Sequence, residues 1–62
     1  MTVSEAIRRA VWFERRDDPD DIPARFGTLA AAKRSFNKRG GLVYAIWLDA
    51  AGYEAETFLF GN

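Results

Sequence analysis

The sequence predicts an α+β fold in which a small antiparallel β-sheet carries one helix on one face, with the elements in the order β-α-β-β. Three features predict it: an alternating N-terminal run, an alanine-rich segment that ends at two glycines, and two aromatic and β-branched runs separated by a short turn. The 62 residues suffice for one domain, over residues 1–62, and a chain of this length buries only about 60% of its unfolded surface. We therefore expect a thin core.

The N-terminal segment has two interpretations. Ile7, Val11 and Phe13 lie at alternating positions, and the prediction is a strand over residues 6–15. The competing interpretation is a helix, because residues 2–5 have the spacing of a capping box and apolar residues recur after them with helical spacing. The sequence leaves strand or helix open here.

Prolines and glycines divide the middle of the chain into a loop and a helix. Residues 17–23 contain two prolines and four aspartates, so we expect a loop there. Thr28 is a suitable N-cap for a helix over residues 29–39, whose basic residues come late, and Gly40 and Gly41 end it. This helix is expected to cover one face of the sheet.

The C-terminal part is predicted to form a β-hairpin. Residues 42–48 and 53–60 are the strands, and a four-residue loop between them pairs Leu48 with Tyr53. This register places one mainly apolar face against the helix and leaves the opposite face without a covering helix. The side chains expected on that helix-free face are Val43, Ala45, Trp47, Asp49, Glu54, Glu56, Phe58 and Phe60, together with Trp12 and Glu14 of the N-terminal strand.

Missing residue types narrow the possible functions. The chain has no cysteine and no histidine, which excludes disulfides, the common zinc-ligand sets and two of the usual catalytic side chains. The aspartates of residues 17–21 lack the spacing of an EF-hand, so we expect no metal and no cofactor. Binding without catalysis is therefore the expectation, in other words no enzyme. Without a leader or an apolar run of about 18 residues, the expected location is cytoplasmic.

The charges cancel overall but are sorted along the chain. Residues 1–16 carry a net charge of +2, residues 17–24 carry −4, residues 25–40 carry +5 and residues 41–62 carry −3. Local acidic and basic surfaces are therefore expected despite the zero net charge. Each of them is a candidate for binding.

The acidic candidate would imitate nucleic-acid phosphates. Carboxylates on a loop and at alternate positions of a strand form an anionic surface that suits a basic channel in a DNA- or RNA-binding complex, and complementary charge gives fast and specific association. Trp47 would add an apolar contact. The partner-binding residues of this hypothesis are Asp17, Asp18, Asp20, Asp21, Trp47, Glu54 and Glu56.

Two alternatives use other surfaces. In one, the protein is a nucleic-acid-binding regulator, and the basic face of the helix at residues 29–39 contacts phosphates. Cations late in a helix also stabilise the helix dipole. In the other, aromatic side chains of the helix-free face form the interface of a homodimer or an accessory interaction domain. The basic candidates are Lys33, Arg34, Lys38 and Arg39, with Arg25 nearby; Arg8, Arg9, Arg15 and Arg16 would add to them or pair with the aspartates.

The chain resembles small phage-encoded anti-CRISPR proteins in several features. These are its size, its lack of histidine and cysteine, its strand-helix-hairpin order, the DDPDD run at residues 17–21 and the Glu54/Glu56 pair. Type I inhibitors that act as DNA mimics are the most similar kind. The resemblance implies an inhibitor that works in the host bacterial cell and blocks target-DNA binding by a subunit of a CRISPR surveillance complex. The basic residues of the predicted helix depart from a uniformly acidic mimic.

Overall fold

The computed structural model describes residues 1–18 and 22–61, which form two helices and a four-stranded antiparallel sheet. The α+β class and the antiparallel sheet are thus confirmed, whereas the predicted order β-α-β-β is wrong because a helix comes first and an additional strand precedes the second helix. The strand order in the sheet is β2-β1-β3-β4. The elements are α1 (Val3–Arg9), β1 (Trp12–Arg16), β2 (Ala24–Phe26), α2 (Leu29–Arg39), β3 (Leu42–Leu48) and β4 (Glu54–Gly61).

The N-terminal segment combines both interpretations. Thr2 caps α1, because its Oγ1 accepts a hydrogen bond from the Glu5 amide at 3.1 Å, and Ala6 is fully buried beneath the first turns. The strand predicted over residues 6–15 is wrong at its beginning and correct from Trp12 onward. Local capping therefore determines the helix, and alternation determines only the strand that follows it.

The short strand β2 was not predicted. It pairs antiparallel with β1, with Phe13 opposite Phe26 and Arg15 opposite Ala24. Three residues after a proline are too few to show a period of two, so the sequence contains little signal for this strand. The predicted loop includes residues 19–21, among them Asp20 and Asp21, which lie outside the described residues.

Helix α2 has the predicted bounds and the predicted cap. The Oγ1 of Thr28 accepts from the Ala31 amide at 3.2 Å, and the Gly40 amide donates to the Phe36 carbonyl at 2.7 Å. Gly41 has φ +95°, and a Cβ there would lie 2.5 Å from the backbone oxygen of Arg16. The close approach of the chain to β1 thus requires glycine at this position.

The predicted hairpin strands are present, but their register is wrong. Leu48 lies opposite Glu54 and not Tyr53, because the Asp49 carboxylate accepts from the Ala51 and Tyr53 amides at 2.9 and 3.0 Å and keeps Tyr53 in the turn. A slip of one residue moves each β4 side chain to the other face relative to β3.

Both helices pack on one face of the sheet, and this face contains the core. Ala6 of α1 and Ala32 of α2 form a buried cluster with sheet residues Phe13, Val43 and Ala45. Trp47 and Phe60 were predicted on the helix-free face, but they also pack against this cluster. The predicted placement is therefore wrong for these two residues, as it is for Val43 and Ala45.

Glu54, Glu56 and Phe58 do lie on the helix-free face, opposite Leu48, Ile46 and Tyr44. Within residues 1–18 and 22–61, no helix is long and apolar enough to cross a membrane.

Candidate nucleic-acid interface

The acidic loop residues have different surroundings. Asp17 accepts a hydrogen bond from Arg15, and this bond, reinforced by the charges of Arg15 and Arg39, holds the pKa of Asp17 below its ordinary value of 3.8. Asp18 is exposed. Of the two alternatives that the sequence left open for Arg15, the structure shows pairing with an aspartate, and the charge of Asp17 is compensated within the protein.

Two carboxylates of the predicted acidic surface, those of Asp17 and Glu54, lie at different ends of the sheet. Asp17 follows β1 at the end where Arg16 pairs with Leu42, whereas Glu54 pairs with Leu48 at the other end of β3. Six residues of extended strand separate these ends by about 20 Å. Asp17 and Glu54 therefore do not belong to one patch.

Trp47 lies on the face that the helices cover, away from Glu54 and Glu56. Its Nε1 donates to Thr57 Oγ1 at 2.9 Å, and the Arg9 guanidinium lies 5.1 Å from its ring centroid. Trp47 thus completes the apolar packing below α1, and it cannot act in one contact with the two glutamates.

Arginine side chains cover the aromatic rings of the helix-free face. The Arg25 guanidinium lies 4.5 Å from the Trp12 ring centroid, and that of Arg16 lies 4.0 Å from Tyr44. Both arginines bind the carboxylate of Glu14, at 3.1 and 3.0 Å, although this residue is only 4% exposed. This layer of arginines joins the aromatic rings and Glu14 on the face without a helix.

Arg16 also pairs with Glu56 and links β1 to β4. The hydrogen bond to Glu56 raises the pKa of Arg16, and the bond from Arg16 lowers the pKa of Glu56 below its ordinary value of 4.5. Glu56 is therefore neutralised by its neighbour in the sheet. The sequence contained a signal for this network in the opposite charges at alternate positions 14 and 16, but it did not predict their partners.

The lowered pKa values predict the acid stability of the protein. The unfolded chain takes up protons first as the pH falls, near the ordinary values of 3.8 and 4.5, so the contributions of Asp17 and Glu56 are complete above this range and are lost below it as the folded carboxylates become protonated. Urea denaturation at a series of pH values is expected to show this loss. The double variant Asp17→Asn/Glu56→Gln should be less stable at neutral pH and should lose less stability in acid; an equally steep loss would contradict the assignment.

The basic face of α2 differs from Asp17 and Glu56 because its cations form no ion pair among the described residues, although the charge of Arg39 acts on Asp17. Lys33, Arg34, Lys38 and Arg39 are exposed, and the ion pairs found among the described residues include none of them. From residue 22 to residue 48 the sequence has no aspartate or glutamate. The surface around α2 is therefore positively charged.

A groove runs between α2 and the edge strand β2. Three of the four basic residues of α2 line this groove, and an aromatic residue of β2 lines it with them. The lining residues are Phe26, Ala31, Arg34, Ser35, Lys38 and Arg39. The sequence did not reveal the position of Phe26 beside α2, because the existence of β2 was not predicted.

Arg15 holds α2, which forms one side of the groove, on the sheet. Its side chain is 4% exposed, its Nε donates to Ser35 Oγ at 2.8 Å, and its Nη1 donates to the Gly40 carbonyl oxygen at 3.2 Å. The last turns of α2, which carry the cations, are thus held on β1 by a buried guanidinium.

Comparison of the chain with protein families, with curated proteins and with solved structures finds no match. The resemblance to anti-CRISPR proteins stays a prediction. In the part of the chain that the structure describes, acidic side chains do not gather in groups of three or more that could hold a metal ion.

Proposed function

We propose that the protein binds nucleic acid, without turnover, through the basic face of α2. The observation that carries this proposal is the contrast in charge compensation. Asp17 and Glu56 are bound by arginines of the same chain, whereas the described residues offer no ion pair to Lys33, Arg34, Lys38 or Arg39. Cations without an ion pair are available to a partner's phosphates, whereas the carboxylates of Asp17 and Glu56 are already bound.

The arrangement of the cations suits a phosphate backbone. Arg34 and Lys38 are four residues apart in α2 and so lie on the same side of it, and Arg39 joins them in the lining of the groove. Phosphate contacts of this kind release condensed counterions, which supplies affinity and makes the affinity depend on salt. The support from Arg15 holds these side chains on a rigid element.

Fluorescence anisotropy of a labelled oligonucleotide, titrated with the protein alone, tests the proposal. The variant Arg34→Gln/Lys38→Gln is expected to bind about tenfold or more weakly near 0.1 M salt, because two phosphate contacts are removed. Glutamine preserves the helix, since its helix propensity is close to that of arginine and lysine.

The matched control is Arg8→Gln/Arg9→Gln, which removes the same charge from exposed positions on α1, outside the basic face of α2. It should retain most of the affinity. Equal losses in both variants, or stronger binding to anionic lipid vesicles than to the oligonucleotide, would contradict a nucleic-acid site on this face.

A second candidate function is the inhibition of a CRISPR surveillance complex by an acidic surface, as in the DNA mimics. One observation favours it: Glu54 and Glu56 are both exposed on the same side of the edge strand β4. The same assay with a type I surveillance complex present distinguishes the two candidates. Loss of the complex-bound signal, without binding by the protein alone, would support inhibition; binding by the protein alone supports the basic face.

A further inference from the structure

We infer that the nucleic acid bound by this protein is single-stranded and lies in the groove between α2 and β2. The inference rests on the proposed function and adds the form of the ligand. It comes from the composition of the groove, in which cations and an aromatic ring stand side by side.

The groove offers two kinds of contact to one ligand. Arg34, Lys38 and Arg39 supply positive charge, while the ring of Phe26 and the methyl of Ala31 supply an apolar wall. A duplex presents its phosphates outside and keeps its bases stacked within, so it could use only the cations. A single strand has bases free to contact an apolar or aromatic wall while its phosphates meet the charges.

Ser35 adds a polar group to the same wall. Its Oγ accepts a hydrogen bond from Arg15 Nε at 2.8 Å, and this bond occupies the hydroxyl oxygen as an acceptor. The hydroxyl hydrogen can then be donated to a phosphate oxygen or to a base edge. The hydrogen bond from the buried arginine thus leaves the hydroxyl hydrogen of Ser35 available as a donor.

The distribution of the cations on α2 also favours a strand in the groove. A helix that enters the major groove of a duplex contacts it with its outward face and with charges on both sides. Here three cations line the groove beside β2, and only Lys33 lies outside it. The charge is therefore directed to the sheet edge, where a narrow extended ligand can follow it.

Three labelled probes test this inference at one salt concentration: a DNA strand without self-complementarity, the same strand annealed to its complement, and an abasic strand of equal length. We expect the single strand to bind at least about fivefold more tightly than the duplex. The abasic strand should bind about five- to tenfold more weakly than the intact strand, since base contacts with an aromatic wall contribute to single-strand affinity.

The outcomes separate the two proposals. Equal or tighter binding of the duplex, or undiminished binding of the abasic strand, would overturn the single-strand inference and leave nucleic-acid binding intact. Failure of all three probes to bind at low salt would overturn the proposed function itself. Lys38→Gln should weaken single-strand binding more than Lys33→Gln does, and the reverse ranking would place the strand outside the groove.

Discussion

Arg15→Met is expected to lower the free energy of unfolding by about 2–3 kcal/mol. The side chain is 4% exposed and donates to Asp17, Ser35 and the carbonyl of Gly40. Methionine retains much of the apolar volume but none of the donors, so the loss reports the charged hydrogen bonds and the buried acceptors left without a partner. In a domain of this size each kcal/mol shifts Tm by roughly 4–8 °C.

Urea denaturation followed by tryptophan fluorescence measures this loss. Arg8→Met is the control, because Arg8 is exposed on α1 and its replacement should change stability by less than about 0.5 kcal/mol. Equal stability of the two variants would show that Arg15 does not hold α2 on the sheet.

Phe60→Ala is expected to cost about 2–3 kcal/mol, and Phe58→Ala about 1 kcal/mol or less. The Phe60 ring packs edge-on against Phe36 at a centroid distance of 5.1 Å and contacts the buried cluster below the helices. Phe58 lies on the helix-free face, where it is 47% exposed and contacts only the Tyr44 ring among the aromatic neighbours described.

Chemical denaturation of both variants decides the hairpin register. The two phenylalanines are alike in chemistry and two positions apart, so regular alternation would place them on one face and make their effects similar. The shift between Val43 and Tyr44 places them on opposite faces. Equal losses, or a larger loss for Phe58→Ala, would contradict the observed register.

Local signals in the sequence predicted the helices and strands better than the way in which these elements pair and pack. Thr28, Gly40 and the alanines between them determine α2 within the chain itself, so its bounds were predictable. The hairpin register was not, because it depends on two hydrogen bonds from backbone amides to the Asp49 side chain, which a loop length alone does not reveal. The sequence therefore assigned Trp47 to the wrong face, and it did not reveal the shift between Val43 and Tyr44 that places Phe60 on the helix-covered face.

The candidate sites also combine features that the sequence reveals with features that only the folded chain reveals. The sequence identifies which residues are charged, and it indicated the basic face of α2 as an alternative. It does not show which charges meet: Glu56 pairs with Arg16 from 40 positions away, and this pairing needs the strand order of the folded sheet. The groove likewise requires β2 beside α2, and β2 is too short to predict. Charge compensation is therefore a property of the fold, and it changes which surface is favoured for binding.

The most direct test of nucleic-acid binding by α2 is the salt dependence of the affinity. Anisotropy titrations of a labelled single strand from low to moderate salt should give a plot of log Kobs against log salt concentration with a slope near −2, because about three cations each contribute roughly −0.7. Arg34→Gln/Lys38→Gln should reduce the slope by more than half, while Arg8→Gln/Arg9→Gln leaves it nearly unchanged. No binding at low salt, or the same slope in both variants, would contradict the proposed role of the basic face.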